Sequence, residues 1–218
     1  MRYVKFATKE FYHIYNRGVD KRDIFMDADD VARFLICMSL FNVQDPIGSI
    51  YENSFRESLG SSAPKSGALV NFVAYCLNQN HYHFILEPLV ENGIQKFMHK
   101  LSTGYTNYFN EKYERSGALF QGRYKAVHIN SNTYLLYLSV YVNLNNRVHK
   151  GLNKKWMNNP NFSSFREYVE ETSKLFCGKD IVLGQFSKKE YKTFCEEILP
   201  EILRRKEEEK EMKAMLLE

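Results

Sequence analysis

Two histidines separated by one residue, His81 and His83, lie in AYCLNQNHYHFILE at residues 74–87, a run that otherwise reads as buried strand. Strand side chains alternate between faces, so the two imidazoles point one way and Tyr82, Phe84 and Leu86 the other. Two imidazoles so placed can close on one metal ion. The alternative is an exposed face with two unrelated histidines. A second cluster lies in SNTYLLYLSVYVNLNNR, residues 131–147. There Tyr134, Tyr137 and Tyr141 recur at i, i+3 and i+7 and share one helix face, with Asn145 four residues further on. A tyrosine stripe is more often core than chemistry. Yet a core stripe has no need of Asn143, Asn145 and Asn146, which are poor helix formers. Either the helix frays there or Asn145 has a partner. A third cluster is GALFQGRYKAVHI at residues 117–129, where Gln121, Arg123, Tyr124 and Lys125 crowd together. An amide, an aromatic ring and two cations make a plausible grip on a nucleic acid. The same composition also occurs in ordinary edge strands.

Positioning these groups requires a sheet and helices, and the chain encodes both. FYHIYN at residues 11–16 reads as a first strand ending at Arg17-Gly18, with His13 a structural residue rather than a ligand. The acids at 27–30 cap a helix whose apolar side is Val31, Phe34, Leu35, Met38 and Phe41. Residues 45–68 hold Pro46, Gly48, Gly60, Pro64 and Gly67 and read as a loop or insertion. Residues 70–77 and 81–86 form a hairpin through Asn78-Gln79-Asn80, closed by Pro88. A long amphipathic helix spans 92–114, with Lys96, Lys100 and Lys112 off its apolar stripe. A strand near 129 and a helix over 131–147 complete the order strand, helix, hairpin, helix, strand, helix. This order predicts an α+β fold: a ferredoxin-like sandwich, an antiparallel sheet with helices on one face.

Beyond residue 150 the character changes. A polar link at 151–160 precedes a helix over 163–176. Ser187 and Glu190 then form a capping box for a helix that Pro200 interrupts, and RRKEEEKEMK reads as a solvated helix end. The predicted organisation is a catalytic domain at 1–150 and a helical C-terminal extension at 151–218. The charge is uneven in the same way. Residues 1–150 carry 17 Lys/Arg against 13 Asp/Glu, and residues 151–218 carry 13 against 13, so the net +4 sits with the histidines. That balance suits a phosphate-rich partner, though weakly. Cys37, Cys76, Cys177 and Cys195 form no short paired spacing, which excludes a zinc ribbon and a disulfide framework and predicts reduced core cysteines. No run has the length of a membrane span, and the N-terminus lacks an apolar signal core. The expectation is a cytoplasmic protein with no membrane partner.

Taken in order, FYHIYNRG, NQNHYHFIL, GALFQGRYKA, YVNLNN, and SSFREY with DIVLGQF resemble the single-tyrosine HUH transposases, more closely their REP-associated branch. The resemblance runs from Phe11 to about Phe186. It implies that His81 and His83 are metal ligands, that Tyr141 is the nucleophile, and that Asn145 occupies the third ligand position. Two departures stand out: Asn146 replaces the usual proline, and Asn143 stands where many relatives have histidine. The implied activity is metal-dependent single-stranded DNA cleavage and strand transfer on hairpins, through a covalent 5′-phosphotyrosine. Mg²⁺ or Mn²⁺ suits such a ligand set. Arg123, Lys125 and Lys100 are the expected phosphate contacts, and the protein is expected to be a monomer or homodimer. The alternative is a domesticated relative that holds hairpin DNA or RNA without cutting it.

Overall fold

The computed structural model describes residues 4–45, 67–148, 162–170 and 176–215. Most of the predicted loop at 45–68 and the whole link at 151–160 lie outside those residues. The described elements are β1 (Phe11–Arg17), a single 3-10 turn (Val19–Lys21), α1 (Ala28–Leu40), β2 (Val70–Asn78), β3 (His81–Pro88) and α2 (Gly93–Lys112). There follow β4 (Lys125–Ile129), α3 (Asn132–Asn143), α4 (Asn145–Val148), α5 (Phe165–Val169), α6 (Asp180–Leu183) and α7 (Lys188–Met215). The four strands form one antiparallel sheet in the order β2-β3-β1-β4, the ferredoxin-like arrangement that the element order predicts. Gln79-Asn80 closes the β2–β3 hairpin as a two-residue turn. Among the described residues, no helix is long and apolar enough to cross a membrane.

The chain divides into two compact units. The first holds Met1–Asn71, Gln79–Tyr82 and Leu86–His128. Its core is aromatic. Phe34 of α1 meets Phe25 edge-on at 5.0 Å and Tyr105 of α2 at 4.8 Å, and Tyr82 of β3 lies 5.6 Å from Phe34. Tyr105 keeps its hydroxyl satisfied by donating to the Ile24 carbonyl at 2.6 Å. The end of α1 approaches α2 closely at Gly104, where any side chain would run into the Phe41 ring. Asp27 caps α1 by accepting from the Asp30 amide at 2.9 Å. Asp30 itself is fully buried, and it accepts from Lys112, Tyr113 and the Met26 amide at 2.8 Å each. Lys112, which lies off the apolar stripe, is therefore an ion-pair partner that ties the end of α2 to the start of α1.

In β1, His13 is buried and stacks on Tyr15 at 4.9 Å. Burial disfavours its charged form and lowers its pKa to about 4. The unfolded chain therefore takes up this proton first as pH falls below 6.5. The stability His13 contributes is complete above that pH and is lost as pH drops to about 4. The expected loss is about 3 kcal/mol. Urea titrations at pH 7 and pH 4 should show it as a difference between wild type and His13→Phe; an equal pH dependence in the two proteins would refute it.

The second unit holds Phe72–Asn78, His83–Ile85 and Ile129–Glu218. Here the C-terminal segment satisfies the outer edge of β2, whose unpaired backbone would otherwise invite association. Ser163 bridges Cys76 in antiparallel fashion. The Ser164 amide donates to the Tyr75 carbonyl at 3.0 Å, and its Oγ accepts from the Tyr75 amide at 2.9 Å. Further along the edge, Tyr168 donates to the Val73 carbonyl at 2.6 Å and the Gly178 amide to the Phe72 carbonyl at 2.8 Å.

Three local expectations change. The helix predicted over 131–147 starts at the Ser131 cap but stops at Asn143 and resumes at Asn145, with Leu144 at φ −107°. The helix predicted over 163–176 is described only as Phe165–Val169, its preceding residues being drawn onto the β2 edge. Pro200 does not interrupt α7, which runs through it from Lys188 to Met215. Proline removes one amide donor, and a helix of 28 residues tolerates that loss where its flanking turns stay paired. The Ser187/Glu190 box at the head of α7 forms as predicted: the Ser187 amide donates to Glu190 Oε2 at 2.7 Å, and the Glu190 amide to Ser187 Oγ at 3.2 Å.

Candidate active site

His83 lies in mid-strand, 7% exposed, and meets the Tyr141 ring edge-on, with centroids 5.6 Å apart and planes at 87°. β3 supplies the histidine and α3 the tyrosine, both from the second unit. Tyr141 is half-buried at the last turn of α3. A direct ring contact thus places Tyr141 against a strand histidine.

Asn145 is fully buried, and its Oδ1 accepts from Asn78 Nδ2 at 2.9 Å. The asparagines that looked anomalous for a helix end therefore have partners. Asn143 is equally buried. Its Nδ2 donates to the Tyr191 hydroxyl at 2.9 Å, and its Oδ1 accepts from Ser164 Oγ at 2.6 Å. Ser139 donates to the Leu136 carbonyl at 2.7 Å, so the Tyr191 proton goes to Ser139 Oγ at 3.0 Å. This network fixes the last turn of α3 against α7 and the Ser164 turn. Asn143→Ala would remove one hydrogen-bond partner from a buried tyrosine hydroxyl and one from a buried serine at once. The expected cost is about 2–4 kcal/mol, read as a drop in the urea midpoint; a midpoint equal to wild type would refute the network's importance.

His81, two residues before His83 on the same strand, is half-buried, and its Nδ1 lies 2.6 Å from Asn80 Oδ1. An amide oxygen can only accept, so Nδ1 carries the proton and Nε2 the lone pair. Among the described residues, no three His, Cys, Asp or Glu side chains converge as a metal site.

The three expected phosphate contacts separate. Arg123 and Lys125 are exposed, with Lys125 Nζ 5.9 Å from the centre of the Tyr15 ring. Lys100 instead donates to the carbonyls of Val43 and Asp45, at 2.7 and 2.9 Å, and so ties down the chain after α1. Other cations have no signal in the sequence. Arg17 at the end of β1 hydrogen-bonds Gln121, and the Gln121 amide donates to the Arg17 carbonyl at 2.8 Å. The pairing of β1 with the segment before β4 makes that group, and no local pattern reveals it. On α7, Arg205 lies over Tyr137 at 5.4 Å and Lys206 over Tyr141 at 5.6 Å, in the stretch that reads as a solvated helix end.

Residues 51–145 match the family model described as "Transposase IS200 like". In fold, the chain is similar to a solved structure of a REP-associated tyrosine transposase bound to a REP hairpin. The TM-score is 0.50 at 11% identity, over 78% of this chain and 84% of that one. A search of the curated proteins found no sequence match.

Proposed function

We propose, for a chain whose residues 51–145 are a transposase domain of the IS200-like, single-tyrosine HUH type, that it cuts and rejoins single-stranded DNA beside a hairpin, using a divalent metal ion and Tyr141 as nucleophile. The observation that carries this reading is the edge-on contact of His83 with Tyr141. A side chain of metal-binding type there touches the ring whose hydroxyl the family resemblance assigns to attack.

The donor set fits a divalent ion. His81 and His83 share a strand face, and Asn80 holds His81 in the tautomer whose Nε2 can coordinate. The Asn145 amide oxygen has two lone pairs. Asn78 takes one and orients the other, which suits a ligand held from behind. Two imidazoles and an amide oxygen match Mn²⁺ or Mg²⁺. When bound, such an ion supplies Lewis-acid polarisation of a scissile phosphate.

The chain's own groups supply the rest. Tyr141 Oη attacks the phosphorus and gives up its proton. A Tyr–O–P bond forms, the bond from phosphorus to the 3′ oxygen breaks, and that oxygen leaves as a protonated 3′ hydroxyl. The 5′ phosphate stays on Tyr141 as a diester, so attack by another 3′ hydroxyl reverses the step and needs no nucleotide cofactor. Arg123 and Lys125 neutralise backbone phosphates. Hairpin recognition is proposed from the fold resemblance to the REP-hairpin-bound protein.

The test is a denaturing gel of an end-labelled hairpin with single-stranded flanks, with Mn²⁺ or with chelator, beside the fully duplex form of the same sequence. The expected result is Mn²⁺-dependent cleavage in the flank of the hairpin and none of the duplex. Binding without cleavage on any hairpin would replace this reading with that of a non-cleaving hairpin-binding protein.

A further inference from the structure

We propose that Lys206, carried on α7 far along the chain from the family-matched residues, is a phosphate-binding residue of the strand-transfer site and contacts the phosphoryl group that becomes linked to Tyr141. This inference rests on the proposed function above.

The geometry begins with how α7 is held. Tyr191 is buried, and its hydroxyl bonds both Ser139 and Asn143 of α3. Its ring packs against that of Tyr168, with centroids 4.8 Å apart. The helix is thus fixed to the tyrosine-bearing helix and continues through Pro200 without a break. It then brings two consecutive cations to two tyrosines one helical turn apart: Arg205 to Tyr137 and Lys206 to Tyr141. Arg205 also pairs with Glu201 one turn back, which holds it along its own helix. Among the described residues of the charge run, Lys206 differs in being half-buried. Burial lowers its pKa, with Glu209 acting in the opposite sense.

A cation on a ring face gains about 0.5–1 kcal/mol where exposed and more where desolvated. A phosphoryl group on Oη would place two non-bridging oxygens just beyond the ring Lys206 already covers. The four-carbon stem of a lysine reaches them by a rotamer change, and a charge-assisted hydrogen bond exceeds the ring contact it replaces. Lys206 thus meets the anionic centre where negative charge accumulates during transfer, and it belongs to the part of the chain outside residues 51–145.

The experiment uses the full-length chain, a hairpin substrate with Mn²⁺, and single-turnover adduct formation on SDS gels. Lys206→Met is compared with Lys206→Arg, and each with a substrate whose scissile phosphate is a neutral methylphosphonate. Lys206→Met is expected to slow adduct formation roughly 10- to 100-fold, at an unchanged unfolding midpoint, with Lys206→Arg recovering most of the rate. The methylphosphonate penalty is expected to be smaller in Lys206→Met than in wild type, because both changes remove one interaction. A merely structural role for Lys206 would leave that penalty unchanged. Should Lys206→Met lower the midpoint, Lys206→Gln under the same comparison decides. Wild-type rates in the neutral variants, or penalties that multiply fully, overturn the assignment of Lys206 alone. Absence of any adduct in wild type overturns the proposed function, and this inference with it.

Discussion

Replacing Tyr141 with phenylalanine is expected to abolish the covalent protein–DNA adduct while leaving hairpin affinity within about twofold of wild type. The substitution removes one oxygen. The ring that meets His83 edge-on is retained, and its contact with Lys206 persists because a cation over a ring needs no hydroxyl. Packing at the end of α3 should therefore survive, and with it the network through Asn143. Chemistry should not survive: without Oη no group forms the ester, and the expected fall in cleavage is on the order of 10⁴-fold or more. Tyr137 stands one turn away beneath Arg205 and Tyr134 one turn further. An adduct that persists in Tyr141→Phe at a substantial rate would move the nucleophile to one of them. The paired measurement is adduct yield on SDS gels and hairpin affinity by fluorescence anisotropy.

His83→Ala is expected to have the second-largest effect. It removes one of two imidazoles from the strand face, and a ligand set reduced to one imidazole and one amide oxygen no longer holds a divalent ion at micromolar concentration. The loss of phosphate polarisation amounts to several kcal/mol, or on the order of 10³-fold in cleavage. His83 is also a buried side chain, so a fold check is needed: circular dichroism should match wild type. Isothermal titration with Mn²⁺ separates the two roles. Lost heat of binding with an intact fold supports the ligand assignment. Undiminished Mn²⁺ binding in His83→Ala would remove His83 from the metal site.

What can be read from sequence divides by the range of the interaction. The hairpin expected through Asn78-Gln79-Asn80, which turns at Gln79-Asn80, the Ser131 cap and the Ser187/Glu190 box rest on contacts within four residues, and each forms. The order of the elements is enough for the ferredoxin-like arrangement, because sequential elements that lie side by side and crossovers of one hand leave few alternatives. The contact of His83 with Tyr141 joins residues distant in the chain, and only the family resemblance suggests it. Asn143, Tyr191 and Ser164 come from three separate segments, so nothing local announces that Asn143 is a buried hub. Lys100 has the right charge and an open-looking position, yet two backbone carbonyls brought in by the chain after α1 take two of its three protons. The charge run of α7 reads as solvated because helical periodicity cannot say which residue of a polar face is bent back over another helix. Arg205 and Lys206 both lie over tyrosines of α3.

Mass spectrometry can show directly whether Tyr141 becomes covalently bonded to DNA. Wild-type protein would be reacted with a single-stranded hairpin substrate and Mn²⁺, digested with nuclease and trypsin, and the peptide of residues 126–147 sequenced by fragmentation. The expected result is a nucleotide mass on that peptide, localised to Tyr141, absent under chelator and absent in Tyr141→Phe. A nucleotide on Tyr134 or Tyr137, or an unmodified peptide from a reaction that has cleaved its DNA, would contradict it.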